Sequence, residues 1–258
     1  MNSVIKYPTL SFFIIAFLFS WSCFFSTYTP LIYCGVYGPL IAAFIVVVVR
    51  DRRLHTDWLN LRMPQLVWIV HALLVFPFIW ALGNSTGVLV GLVKMAPWQE
   101  SYWSNLPSLT LSALIFTTFL GGGQEEVGWR AFGLRELQRM FNPLVASVIL
   151  GILHAVWHIP LYFNGWYQDH FSANNLPLAI GSRIAYSIPT TIVITFFFNR
   201  TQGNIWLMIL LHVAHNLNPT PSSEFVIVSL YAAAIILAIT DKMHKRLTPL
   251  TALTSSIS

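Results

Sequence analysis

The chain reads as an all-α, multi-pass membrane bundle of eight helices, and three observations predict it. Of its 258 residues, 56% are hydrophobic and 9% charged, against about 25% charged in a soluble domain. The mean hydropathy is +0.66, and apolar runs approaching the ~20 residues that cross hydrocarbon as helix recur along the whole length. Lys and Arg, finally, collect at alternate ends of those runs.

The first run, 9–28, follows a single basic residue, Lys6, and lacks a small-residue cleavage site after it. It is expected to be retained as a helix and not removed as a leader. A second run, 31–49, comes at once, and a third covers 67–83. Residues 86–106 fit less well: an apolar stretch at 88–93 is followed by Trp98, Tyr102 and Trp103, a pattern suited to an interfacial or re-entrant piece with aromatic anchors. The runs at 108–122 and 203–219 are short for a lipid crossing, which is tolerable where a helix extends beyond the membrane or borders a polar cavity. Runs at 143–161, 177–198 and 222–240 complete the set. Residues 1–247 thus form one integral-membrane domain, and the Thr- and Ser-containing tail 248–258 is expected to be disordered.

With eight crossings and a cytoplasmic amino terminus, all of the 14 basic residues except Lys94 and Arg183 fall on cytoplasmic flanks, as the positive-inside rule requires. Both termini are expected inside. The net charge of +5 then reports topology and contact with anionic lipid. Nucleic acid is excluded as a partner because the basic residues form no continuous strip with stacking aromatics. Cys23 and Cys34 have no ligand spacing and are expected to pack as inert side chains.

Against this apolar background a few polar residues need a reason, because ionisable groups in hydrocarbon are costly unless paired, wet or used. Glu125 and Glu126 stand together in GGGQEEVGWR. Glu126 and Arg130 are four apart and share a helical face, while Glu125 points about 100° away around the axis. Arg130 is suited to gripping Glu126 through a bidentate fork, which leaves Glu125 to work. Gly121, Gly122, Gly123 and Gly128 allow close helix approach or a distorted entry. In HAVWHIP, His154 and His158 are four apart before Pro160, so one imidazole can face a carboxylate and polarise a water. His158 is the candidate for that work, and His154 and His71 are expected to be structural. In HVAHN, His212 and Asn216 are four apart, so two donors converge from one face and can stabilise an oxyanion. His215 falls near the cavity edge at best and is expected to be structural.

Other chemistries find less support. Glutamate with two or three histidines is acceptable zinc chemistry, but neither HExxH nor its inverse occurs, nor the paired Glu-x-x-His motifs of a di-iron bundle. The expectation is a metal-free site with no cofactor. There is no G-x-S-x-G elbow, no thiol beside the histidines, no phosphate-binding loop and no dinucleotide fingerprint.

Together the three motifs resemble those of the CPBP family, the intramembrane proteases and bacteriocin-processing or immunity-type proteins similar to the type II CAAX prenyl endopeptidase. The likeness runs over about 121–218, within a protease-like core at about 108–219. Two adjacent glutamates and an arginine four positions after the second match Glu125, Glu126 and Arg130. A phenylalanine followed by a histidine four positions on is matched at His158, with His154 in the phenylalanine position. The final histidine and asparagine match His212 and Asn216. The resemblance implies that Glu125 and His158 activate water, that Glu126 and Arg130 support the site, and that His212 and Asn216 hold the oxyanion. It implies a membrane-associated protein or peptide substrate and a bacterial cell membrane as location. A non-catalytic immunity or binding role, a zinc-dependent membrane protease and a transporter are the alternatives.

Overall fold

The computed structural model describes residues 4, 6–92, 115–116, 118–120, 122–163, 175–216 and 224–246, and these are mainly helical, with turns, an irregular stretch at 52–65 and one isolated bridge between Asn60 and Asn204. Helix α1 spans Pro8–Phe24 and begins at a proline, where the missing N–H costs nothing. Helices α2 (Thr29–Gly35) and α3 (Gly38–Asp51) divide the expected run 31–49 and meet at a 43° bend. The break is fixed by α1. The Ser20 hydroxyl donates to Gly35 O at 2.7 Å, and a side chain on Gly38 would strike that same hydroxyl. Helix α4, Leu66–Leu89, outruns its expected span and takes in the start of 86–106. Residues 93–106, most of 108–122, and the tail 248–258 lie outside the described residues.

Beyond Glu126 the chain enters a π-helical segment, Val127–Leu134, that continues into α5 (Arg135–Met140). Such wide turns are rare and mark functional positions. Here the segment packs directly on α3, because Gly128 lies against the Pro39 backbone with no room for a Cβ. Helix α6, Pro143–Trp157, is capped by Asn142, whose Oδ1 accepts from Val145 N at 2.9 Å. A short α7 (Pro160–Phe163) follows, and α8 (Leu176–Arg200) is capped in the same way by Asn175. Helix α9, Ile205–Asn216, starts later than the apolar run because Gly203 adopts φ +74° and Asn204 Oδ1 accepts from Leu207 N at 3.0 Å. Helix α10 is Glu224–Thr240.

Glycines set the closest crossings. Gly151 of α6 lies on the Ile188 backbone of α8, and Gly83 of α4 lies on that of Val226 in α10, the small-residue contact that lets membrane helices approach. Helix α1 packs on α3, α8 on both α6 and α10, and α9 on α4. Trp129, Trp157, Phe12, Phe76 and Met208 are fully buried between them. The outer surface is apolar too. Leu10, Ile14 and Leu18 form one exposed face of α1, as do Val228, Ile235 and Ile239 on α10, surface that belongs against lipid.

Among the described residues three helical stretches are long and apolar enough to cross a membrane: α4, α6 with α7, and α8. The bent pair α2 and α3 makes a fourth. Helices α1, α9 and α10 are apolar but shorter, at 17, 12 and 17 residues. Eight crossings are thus not established by length and apolarity among the described residues, and most of the expected run 108–122 lies outside them.

Candidate active site

The two adjacent glutamates are sent to different environments. Glu126 is completely buried. Its Oε2 lies 2.9 Å from Arg130 Nε, one turn on, and its Oε1 lies 2.8 Å from His212 Nδ1 on α9. The arginine does not form the expected two-pronged fork. A single nitrogen approaches, off the hydrogen-bonding axis, and the second oxygen goes to the histidine, whose Nδ1–H donates to it. That bond ties α9 to the 125–126 segment. Behind it, Gly122 has φ +112° and lies so close to His212 that a Cβ would overlap the ring. Glycine is required there both by its backbone conformation and by the histidine.

Glu125 is 4% exposed and has a looser partner, His154, with Nε2 3.4 Å from its Oε2. An imidazole facing the carboxylate is thus that of His154, which was expected to be structural. Aromatic rings hold His154: Trp157 stacks on it at 15° and Trp129 meets it edge-on, with centroids 5.6 Å apart. His158 caps the end of α6, its ring 4.9 Å from that of His154.

A cavity of about 360 Å³ joins these groups. Five of the six residues singled out in the sequence line it, namely Glu125, Arg130, His158, His212 and Asn216, with His154 beside them. Glu126 sits behind the wall. Helix α8 adds to the polar lining through Arg183, Tyr186, Ser187 and Thr190, which the sequence reading did not single out. Two signals pointed to them. Arg183 is the basic residue that falls within a run, and the spacing 183, 186, 187, 190 keeps all four on one helical face. His215 also lines the cavity and is more than an edge residue, since it lies 2.7 Å from Tyr186 Oη and 3.0 Å from Asn216 Oδ1. His71 is exposed, and its Nδ1–H donates to Val67 O of its own helix at 2.6 Å.

Among the described residues no three His, Cys, Asp or Glu side chains gather to hold a metal ion, and Cys23 and Cys34 are free thiols. The arrangement brings a carboxylate, imidazoles and polar donors to the lining of one small chamber. Those are the elements needed to deprotonate a water and hold an oxyanion.

Residues 107–218 match the family model described as Type II CAAX prenyl endopeptidase Rce1-like, a segment that contains all six motif residues. CAAX prenyl protease 2 of Methanococcus maripaludis is 28% identical over 244 aligned residues, covering 87% of this chain and 89% of the relative. Both comparisons bear out the resemblance carried by the three motifs.

Proposed function

We propose that this chain, a member of the Rce1-like family over residues 107–218, is an intramembrane endopeptidase that uses activated water without an acyl-enzyme. The observation that carries the reading is the convergence of Glu125, His158, His212 and Asn216 on one chamber, with Glu126 and Arg130 fixed at its back. In this mechanism Glu125 takes a proton from water while the oxygen attacks the peptide carbonyl carbon. His158 holds the water from the other side, and His154 keeps the Glu125 carboxylate in place. Negative charge collects on the carbonyl oxygen, where Asn216 and His212 donate to it. As the C–N bond breaks, the proton on Glu125 passes to the leaving nitrogen, and an acid and an amine are released.

The substrate is proposed to be a membrane-associated protein or peptide. The relative's name makes a prenylated CAAX peptide the first probe. The wider proposal is an eight-crossing protein of a bacterial cell membrane with both termini cytoplasmic, supported by the one-sided distribution of Lys and Arg. Reporter fusions that put the 161–176 loop in the cytoplasm would overturn that topology.

The deciding experiment compares newly formed peptide termini in membranes containing wild type or Glu125→Gln at equal abundance. Cleavages seen only with wild type, and reproduced by purified protein, establish the activity. If nothing is cut and the Glu125→Gln protein keeps the full cellular phenotype, a binding or immunity role replaces protease. Activity lost to a chelator and restored by zinc puts a metal enzyme in its place.

A further inference from the structure

Asn216 can serve an oxyanion only if its amide nitrogen, and not its oxygen, faces the chamber, and nothing in the His212/Asn216 motif itself decides which way the amide lies. The neighbouring residues do. Tyr186 Oη of α8 lies 2.7 Å from His215 Nε2, and His215 Nδ1 lies 3.0 Å from Asn216 Oδ1. The ring between them is boxed by α4, with Phe76 edge-on at a centroid distance of 5.0 Å and Trp80 at 5.5 Å, so it cannot swing to other partners. A neutral imidazole has one N–H and one bare nitrogen. If the phenol donates to Nε2, the proton must sit on Nδ1, and Nδ1–H can only face the amide oxygen. The amide nitrogen is then turned the other way.

We propose that Tyr186 and His215 are positioning residues that lock the Asn216 side chain with its NH2 group toward the reacting carbonyl oxygen. The inference rests on the endopeptidase reading of the site. The opposite chain of bonds, Nε2–H to the phenol oxygen and the amide NH2 to Nδ1, would turn Oδ1 into the chamber, where it would repel an oxyanion. The phenol hydroxyl is the more acidic donor and the imidazole nitrogen the more basic acceptor, which favours the first chain over the second. Which nitrogen carries the proton is thus linked to which way the amide lies, and the two alternatives can be told apart.

The first measurement is nitrogen NMR of the histidine rings in the full-length protein in micelles, with the His215 signals assigned by their loss in His215→Gln. The proposal expects the proton on Nδ1 in wild type, and that preference lost in Tyr186→Phe. A proton on Nε2 in wild type overturns it. The second is a double-mutant cycle on cleavage of the substrate found with wild type. Tyr186→Phe should lower kcat about fivefold, the rate equivalent of one ordinary hydrogen bond, and leave KM within about twofold. In an Asn216→Ala background, with no amide left to orient, the same change should have no effect. Additive losses would mean that Tyr186 acts independently of Asn216 and the proposal is wrong. If wild type cleaves no substrate, the endopeptidase reading fails, and the tautomer measurement still decides whether the relay exists.

Discussion

Two clusters in this protein are built from the same residue types and differ in what they leave open. At the end of α3, Asp51 accepts from Arg50 Nε at 2.8 Å and Nη2 at 3.1 Å and lies 2.8 Å from His55 Nε2. Close by, Glu136 accepts from Arg139 at 2.5 Å and from Arg50 at 3.4 Å. Acids, arginines and a histidine pair with one another there, with Arg139 60% exposed to water. In the chamber Glu126 is paired with the Arg130 charge and accepts a hydrogen bond from His212. Its neighbour Glu125 has one long contact and an empty volume in front of it. A cluster whose charges are paired fixes geometry, whereas a buried acid facing a cavity is placed to act on something else. The residue types alone do not separate the two cases.

The comparison breaks first if the two glutamates prove interchangeable. Glu125→Gln is expected to lower turnover by about 10³-fold, the loss of a general base, with an unchanged melting temperature in detergent. Full turnover in that variant would remove Glu125 from its role. Glu126→Gln should do the opposite and act on the fold. It leaves Arg130 buried beside an uncharged amide, at a cost of about 3–5 kcal/mol, seen as a lower melting temperature, and a wild-type melt would mean that Glu126 is not a structural anchor. Asn216→Ala is next, with turnover reduced about 10²-fold and a smaller change in KM, because a donor aimed at developing charge counts chiefly in the transition state. If only KM moves, the residue belongs to recognition.

Two smaller effects sharpen the contrast. Gly128→Ala forces a methyl onto the Pro39 backbone, which cannot rotate away, and should cost about 1–3 kcal/mol of stability. No loss would mean that the π-helical segment can move off α3. Asp57→Asn removes an exposed partner of Arg53, 3.1 Å away, and should change stability by less than about 1 kcal/mol. A larger loss would show that the charged cluster near α3 does more than satisfy itself.

Much of the site was legible because its residues are expensive where they stand. Glutamates, histidines and an asparagine interrupting apolar runs are conspicuous, and spacing of four put Glu126 with Arg130 on one face. Spacing could not reveal that α8 closes the chamber with Arg183 and Tyr186, since that depends on how close α6 and α8 pass at Gly151. Nor could it reveal that His154 also contacts Glu125. His154 was discounted as a packing group, and only the rings of Trp129 and Trp157 turn it toward the carboxylate.

The sequence by itself determined the class of the protein, a helical membrane bundle with a polar interior, because hydrophobic content and the cost of buried charge are properties of residues and not of their arrangement. It determined helix starts as well, where Pro8, Asn142 and Asn175 stand at the boundaries. The tertiary structure decided the lengths of the helices, the break at Gly35 and Gly38, the wide turn after Glu126 and the different surroundings of two adjacent glutamates. Each of these depends on a contact between segments far apart in the chain: Ser20 with Gly35, Gly128 with Pro39, Glu126 with His212. Local spacing carries no record of such contacts, because the partner that bends a helix or saturates a carboxylate is chosen by packing.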